Sequence, residues 1–215
     1  MMVKNLFILA TVCLTLNSCG QVTGNPVAGV VIDKNIKAEV EKHISPAKDL
    51  DTIKGKIEVY NNSLFAEIYQ NDSLIANTYN KAVPKQLFKS FYYRSKDSLK
   101  IDGAFGLFTG IGFSINIYKN KATLYHLLSS DETPGYAYKP SGALISRLEV
   151  PCTSTKIVLS EIPDSTKKQT IYGYAEFKSD NYYSSEGEIN GKEILPRKKT
   201  RVNMKIYFKS RKFEL

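Results

Sequence analysis

The sequence predicts a mainly β protein, either an antiparallel β-sandwich or a barrel, with one or two short helices. Stretches in which apolar and polar residues alternate recur from residue 57 to residue 208, as expected of strands with one buried face. Segments rich in Asn, Asp, Gly and Pro separate these stretches and favour tight turns. Strand and helix patterns do not alternate along the chain, so a parallel α/β fold is not predicted. Many short strands with few helices indicate a sandwich or barrel instead.

The chain begins with an export signal. Residues 1–4 include a basic residue, residues 6–16 are apolar, and two small polar residues precede Cys19. This order is typical of a secretory signal peptide, and the apolar stretch is shorter than the about 20 residues that a spanning helix needs. Residues 16–20, Leu-Asn-Ser-Cys-Gly, resemble the lipobox of bacterial lipoproteins. The alternative is an ordinary secreted protein with a cysteine at this position by chance.

The resemblance to lipoproteins implies a division of the chain and a location. Residues 1–18 would be a cleaved signal peptide, residues 19–30 the acylated Cys19 with a flexible tether, and residues 31–215 a single β-rich domain. Several acyl chains on one cysteine anchor a protein stably, so Cys19 is the expected membrane anchor. We expect the protein in the cell envelope, on the outer membrane, with the membrane side left open. Cys152 is then the only internal thiol, and no internal disulfide is predicted.

A helix is predicted before the first strands. Ile36, Val40 and Ile44 are spaced four residues apart within residues 32–44, which predicts a short amphipathic helix or a peripheral segment. From residue 54 onward the period changes to two, with Asn-containing turns between the runs. This change predicts a β-meander.

A second helix is predicted over residues 84–93. Pro84 suits a first helical position, and Leu87, Phe88 and Phe91 fall on one side of a turn or two of helix. This segment is the one interruption that the sequence predicts within the series of strands.

The strongest hairpin pattern lies between residues 113 and 128. Phe113, Ile115 and Ile117 share one face, a turn follows at residues 119–121, and residues 122–128 alternate again. Further strands are predicted at residues 99–101, 144–150, 155–159, 170–177 and 200–208. In the last of these, apolar residues alternate strictly with charged or polar ones, so one face is expected to be buried and the other exposed to solvent.

The segment 103–112 is rich in glycine and contains four large apolar residues, Phe105, Leu107, Phe108 and Ile111. Glycine permits close approach of backbone and phenyl rings supply contact area, so these four residues are predicted to form an apolar lip on a ligand pocket. The alternative is a bulged strand or wide turn whose aromatic residues fill the core.

Residues with catalytic or metal-binding chemistry are sparse. After the signal only His43 and His126 remain, and His126 falls on the apolar face of its strand, which favours a core histidine. The sequence lacks the spaced His and Cys motifs of metal sites, so neither a metal nor a cofactor is predicted. It also lacks a nucleophile-elbow motif, so no catalytic residue is assigned. Cys152 is expected to be either a buried hydrophobe or a reactive thiol.

The formal net charge is +9, and a basic segment precedes and enters the last predicted strand. Its residues Arg197, Lys198, Lys199, Arg201 and Lys205 are predicted to form a patch for an anionic partner, such as lipid headgroups or an acidic protein. The alternative is a charged strand that protects a sheet edge from aggregation. Nucleic acid is not an expected partner, because an exported protein does not meet it.

Four Asp-Ser or Asp-Thr pairs resemble the O-glycosylation sequon of exported Bacteroidota proteins. The acceptor hydroxyls would be Thr52, Ser73, Ser98 and Ser165. The alternative is turn chemistry, because these side chains bond nearby backbone amides. Both interpretations place these residues in exposed turns.

Together these features predict a lipid-anchored binding or accessory module of the cell envelope, without catalysis. The alternatives are an envelope hydrolase with dispersed catalytic residues and a carrier of a lipophilic ligand. The expected partners are the membrane, through Cys19, and an envelope protein, a glycan or a lipophilic ligand. Tyr172, Tyr174, Tyr182 and Tyr183 are a further candidate platform for sugar or protein.

Overall fold

Sixteen strands and one helix make up the described part of the chain. The computed structural model describes residues 28–47, 59–80, 86–106, 110–130, 134–189 and 192–213. The helix is α1 (Ile36–His43). The strands are β1 (Ala28–Ile32), β2 (Ile44–Pro46), β3 (Val59–Asn62), β4 (Phe65–Gln70), β5 (Ser73–Asn77), β6 (Gln86–Arg94), β7 (Ser98–Phe105), β8 (Gly110–Tyr118), β9 (Lys121–Ser129), β10 (Tyr136–Ala137), β11 (Arg147–Leu159), β12 (Thr170–Ser179), β13 (Tyr182–Ser184), β14 (Glu188–Ile189), β15 (Lys192–Glu193) and β16 (Lys198–Lys212). The prediction of a mainly β fold is confirmed.

Seven strands form a closed, barrel-like ring. Neighbours are hydrogen-bonded in the order β6, β7, β8, β9, β11, β12 and β16. The ring closes where β16 runs parallel to β6, with Arg211 opposite Phe91 and Lys212 opposite Tyr92. β1 is wedged between β9 and β11 and is parallel to β11. The sheet is therefore mixed rather than purely antiparallel.

Apolar side chains fill the centre of the ring. Every second residue of the ring strands is buried, as on the pleated face of a sheet that packs on itself. The largest fully buried side chains are Tyr92, Phe88, Phe113, Phe177, Phe208, Leu99, Ile101, Ile115, Leu124, Ile157, Leu159 and Ile171. All belong to one contiguous cluster, and burying each contributes roughly 1.5–3 kcal/mol. The centre of the ring is thus a packed core.

The ring has two ends that differ in the elements they carry. We call one the hairpin end: it holds the turns β6–β7 (residues 95–97) and β8–β9 (residues 119–120), the β11–β12 loop (residues 160–169) and the last residues of β16. The opposite end holds the β7–β8 and β9–β11 connections, β10, β13 and the start of β16. We call it the cleft end.

Helix α1 packs on the outside of the ring. Ile36 and Val40 are buried against Val158 and Tyr174, so the predicted helical spacing is confirmed at these positions. The predicted tether, however, ends earlier than residue 30. Ala28 already belongs to β1, because its backbone pairs with Ala122.

The helix predicted over residues 84–93 is wrong in its described part, because residues 86–94 form β6. Phe88, Ser90 and Tyr92 are buried at a spacing of two, and β6 pairs with β3 on one side and β7 on the other. The apolar residues Leu87 and Phe91 that suggested one side of a helix lie on the outer face of this strand. Pairing on both edges overrides the local pattern.

The hairpin predicted over residues 113–128 is confirmed. β8 and β9 pair antiparallel, and the two turn residues Lys119 and Asn120 both have positive φ angles, 48° and 62°. Positive φ angles at both residues are typical of a type I′ turn, whose twist matches that of the two strands it joins. The strands predicted at residues 144–150 and 155–159 are instead one strand, β11, with a register shift between Ser154 and Lys156.

β16 lies inside the sheet and not at its edge. One of its edges pairs with β13 and β12, and the other with β4 and β6. The alternative that its charges protect a sheet edge is therefore wrong. The apolar face predicted for it is buried, with Val202, Met204, Ile206 and Phe208 in the core.

Candidate functional site

A polar cleft opens at the cleft end of the ring. Its volume is about 500 Å³. The cleft combines two phenol rings, two carboxylates, two cations and an amide, and its lining residues are Asp72, Tyr138, Pro140, Lys178, Ser179, Asp180, Asn181, Tyr183 and Arg201. We call it the end cleft. Binding sites for small molecules fall in this size range and are oriented by a few polar groups.

The tip of the β4–β5 hairpin forms one wall of the end cleft. Asn71 and Asp72 occupy the turn with φ angles of 47° and 65°, a conformation that Asn and Asp tolerate better than most residues. Lys199 of β16 donates to both carboxylate oxygens of Asp72 at 3.0 Å, and its backbone N–H donates to Asn71 Oδ1 at 3.1 Å. These contacts fix the hairpin tip on β16.

The opposite wall comes from the residues after β12 and β10. The Tyr138 hydroxyl donates to Asp180 Oδ2 at 2.9 Å, and the backbone N–H of Asp180 donates to the carbonyl of Pro151 at 2.8 Å. Burial and the bond to Asp180 raise the pKa of Tyr138, so its hydroxyl stays neutral near pH 7. Tyr138 nevertheless remains 41% exposed, with its ring available to a ligand.

Arg197 holds the loop that carries Pro140. Its Nη1 donates to the carbonyls of Pro140 at 3.0 Å and Gly142 at 2.6 Å. The same guanidinium binds the Glu193 carboxylate through Nε at 2.8 Å and Nη2 at 2.6 Å. The planar guanidinium makes all four contacts at fixed angles and therefore orients the loop. A lysine ammonium on its flexible stem would not do so.

The predicted anionic-partner patch is largely compensated within the protein. Arg197, Lys198 and Lys199 contact the carboxylates of Glu193, Glu186 and Asp72. Arg201 lies over the Tyr69 ring at 3.7 Å and Lys205 over the Tyr79 ring at 3.8 Å. Of the five predicted residues, only Arg201 lines the end cleft.

A second polar cluster lies on the outer face of the ring around Glu176. Its carboxylate accepts hydrogen bonds from Tyr79 and, at 2.8 Å, from Tyr174. Burial opposes ionisation, but these two bonds and the nearby charges of Lys205 and Lys156 together lower the pKa of Glu176. Tyr174 also lines a smaller cleft of about 350 Å³ beside α1, together with Lys156 and Tyr207. The polar atoms of this cluster already form hydrogen bonds with neighbouring side chains. We therefore interpret the cluster as a structural hydrogen-bond network.

His126 and Cys152 lie inside the ring rather than at its surface. His126 is fully buried, its Nδ1 is 3.1 Å from the Gly112 carbonyl, and burial lowers its pKa to about 4. Cys152 is a free, buried thiol whose pKa is raised by burial. A neutral imidazole and a protonated thiol in a sealed core do not form an accessible nucleophile and base.

The glycine-rich segment is accounted for by close packing where the structure describes it. A Cβ on Gly112 would lie 2.3 Å from the Gly103 carbonyl oxygen, so only glycine fits there. Phe105 is buried in the core against Phe88, which does not fit a role in a ligand lip. Ile111 packs partly buried against two apolar clusters, and Leu107 and Phe108 lie outside the described residues.

The predicted acceptor serines are all in exposed turns or strand ends. Ser73 begins β5, Ser98 begins β7 and Ser165 lies in the β11–β12 loop. Thr52 and Cys19 lie outside the described residues. The tyrosines predicted as a platform separate: Tyr174 and Tyr182 are buried, and Tyr183 lines the end cleft.

Within the described ranges, no cluster of three or more His, Cys, Asp or Glu side chains has the arrangement of a metal site. The described helix is too short to cross a membrane. No sequence pattern predicted the main components of the end cleft, Asp72, Tyr138, Asp180 and Asn181. No family model matches the sequence, and no curated protein and no solved structure is significantly similar to it.

Proposed function

We propose that the protein is a lipid-anchored module of the bacterial cell envelope that binds glycan chains in the end cleft. The observation that carries this proposal is the lining of the cleft, in which Tyr138 and Tyr183 accompany Asp180, Asn181 and Arg201. The lipobox resemblance of residues 16–20 supports the anchor and the compartment. Glycans are abundant in that compartment.

The chemistry of the cleft suits a hydroxyl-rich ligand. Carboxylate, amide and guanidinium groups are planar and present paired acceptors or donors, which match two neighbouring hydroxyls of a sugar. The exposed ring of Tyr138 offers an apolar face to sugar C–H groups and a polar tip to hydroxyls. The formal charges of the two acids, Asp72 and Asp180, and the two bases, Lys178 and Arg201, cancel, which favours a neutral or weakly charged glycan.

The contacts of the two carboxylates favour binding over hydrolysis. Lys199 engages Asp72, and Tyr138 engages Asp180. In both cases the contact fixes a wall of the end cleft, so each carboxylate already has a structural role. The carrier alternative has no support in the described interior, because apolar side chains occupy it.

Binding of soluble oligosaccharides tests this proposal directly. The mature protein in detergent is titrated calorimetrically with a panel of muropeptide and O-polysaccharide fragments. We expect one class of fragment to bind. Tyr138→Ala or Asn181→Ala should weaken the affinity for that fragment at least tenfold, because each removes one good stacking or bidentate contact.

Tyr118→Ala is the matched control, because Tyr118 is also an exposed tyrosine but lies at the hairpin end. It is expected to leave the affinity unchanged. If no fragment binds, or if Tyr118→Ala weakens binding as much as Tyr138→Ala, the end cleft is not a glycan site.

A further inference from the structure

Exposed lysines gather in the turns of the hairpin end. Lys119 lies in the β8–β9 turn and Lys121 follows it. The other lysines are Lys96 in the β6–β7 turn and Lys167 and Lys168 in the β11–β12 loop. These residues come from three separate parts of the sequence. The acids on the same turns are Asp97, Glu161 and Asp164. Thr166 already donates two hydrogen bonds to Asp164, and Gln169 donates one to Glu161, so five lysines face three acids. The surplus of positive charge is therefore created by the topology.

Exposed apolar and aromatic residues accompany these lysines. Tyr118 is 54% exposed next to the β8–β9 turn, with Lys119 5.1 Å from its ring centroid. Val31 and Ile32, at the end of β1, are 54% and 50% exposed. Tyrosines and long lysine side chains among apolar residues are the mixture found at the boundary between headgroups and water.

The chain enters the ring at this same end. In β1, Ala28 pairs with Ala122 and Gly29 with Lys121, so the entry point lies within three residues of the β8–β9 turn. Eight residues lie between Cys19 and Ala28, and an extended chain spans these nine steps with at most about 30 Å. A lipid on Cys19 would thus keep the hairpin end within about 30 Å of the bilayer.

We propose that the hairpin end is a membrane-docking surface that binds anionic lipid headgroups. The orientation of the docked protein depends on the lipid anchor of the proposed function. The docking surface itself does not depend on that anchor. Docking through this end directs the end cleft away from the bilayer. The nine-residue strands β8 and β9 separate the two ends by about 30 Å, since a strand rises about 3.3 Å per residue.

Vesicle binding by the Cys19→Ser form of the mature chain tests the surface without the acyl chains. Vesicles of phosphatidylethanolamine with phosphatidylglycerol are compared with vesicles of phosphatidylcholine alone. We expect binding to the anionic vesicles only, weakened by salt. Lys119→Gln with Lys121→Gln should lower the affinity about twenty-five-fold, since each basic residue near such a surface contributes about a fivefold gain.

The matched control neutralises two exposed cations of the cleft end, Lys139→Gln with Arg147→Gln, and should leave vesicle affinity nearly unchanged. Because the chain contains no Trp, Tyr118→Trp introduces a unique fluorophore, which lipids with brominated acyl chains should quench. Tyr138→Trp should not be quenched. Equal losses from the two double variants, quenching of Tyr138→Trp alone, or no binding to anionic vesicles would overturn the docking surface and leave glycan binding untouched.

Discussion

The cleft end and the hairpin end use their cations differently. At the cleft end, Arg197 and Lys199 contact carboxylates at 2.6 and 3.0 Å, so their charges serve to fix a loop and a hairpin tip. At the hairpin end, Lys119, Lys121 and Lys167 are exposed in turns. A basic run in the sequence is thus not the same as a basic surface, because the fold decides which cations meet an acid.

The interior nearer the cleft end contains a buried histidine, which should make the stability of the fold sensitive to acid. His126 lies in the half of β9 nearer the cleft end, and its folded pKa of about 4 is below its ordinary value of 6.5. The unfolded chain therefore binds the proton more readily, so stability is complete above pH 6.5 and is lost as the pH falls towards 4. The expected loss is about 3 kcal/mol.

Urea unfolding at pH 7 and pH 4.5 measures this loss, and His126→Gln should remove most of it. The amide of Gln keeps a donor for the Gly112 carbonyl without a group that titrates in this range. Identical pH dependence in the two proteins would show that the imidazole is not the acid-sensitive group.

Two glycines, one near each end of the ring, differ in the space around their backbone. Gly112→Ala, in the half of β8 nearer the cleft end, should destabilise the fold by about 2 kcal/mol, because its Cβ meets a carbonyl oxygen. Gly29→Ala, near the hairpin end, should change stability by less than about 0.5 kcal/mol, because no atom lies within 4 Å of its Cβ. Thermal unfolding measures both variants, and equal effects would contradict the close approach of β7 and β8.

Truncating one cation at each end tests the charges themselves. Arg197→Ala should lower the free energy of unfolding by about 1–2 kcal/mol, because Glu193 and two loop carbonyls lose their donor. Lys119→Ala should change it by less than about 0.5 kcal/mol. Urea titration of both variants decides the point, and a Lys119 effect as large as that of Arg197 would mean that the hairpin-end cations are structural.

Patterns within a few residues of each other were predictable from the sequence. The spacing of Ile36 and Val40 predicts α1, and the alternation around Lys119 and Asn120 predicts the β8–β9 hairpin. The prediction from local spacing was wrong at β6. Leu87 and Phe91 are spaced as on one face of a helix, but pairing with β3 and β7 on both edges makes this segment a strand. Local patterns carry no information about edge pairing.

The end cleft could not be predicted from local patterns, because its residues come from turns that are distant in sequence. Gln70 reaches Thr200 only through the pairing of β4 with β16, and that pairing brings Asp72 beside Arg201. The predicted acylation of Cys19 and O-glycosylation of Thr52, Ser73, Ser98 and Ser165 stay predictions. Ser98 and Ser165 lie at the hairpin end, so glycans on them and direct headgroup contact would exclude each other.

The position of β16 also constrains the order of folding. It joins β12, β13, β4 and β6, yet it is the last strand along the chain among those described. Ser90 and Ser210, which meet inside the ring, are 120 residues apart in sequence. Contacts between residues this distant in sequence form slowly. The edges of β4 and β6 that pair with β16 therefore stay unpaired until β16 folds against them. During synthesis, the ring therefore stays open until β16 has been made.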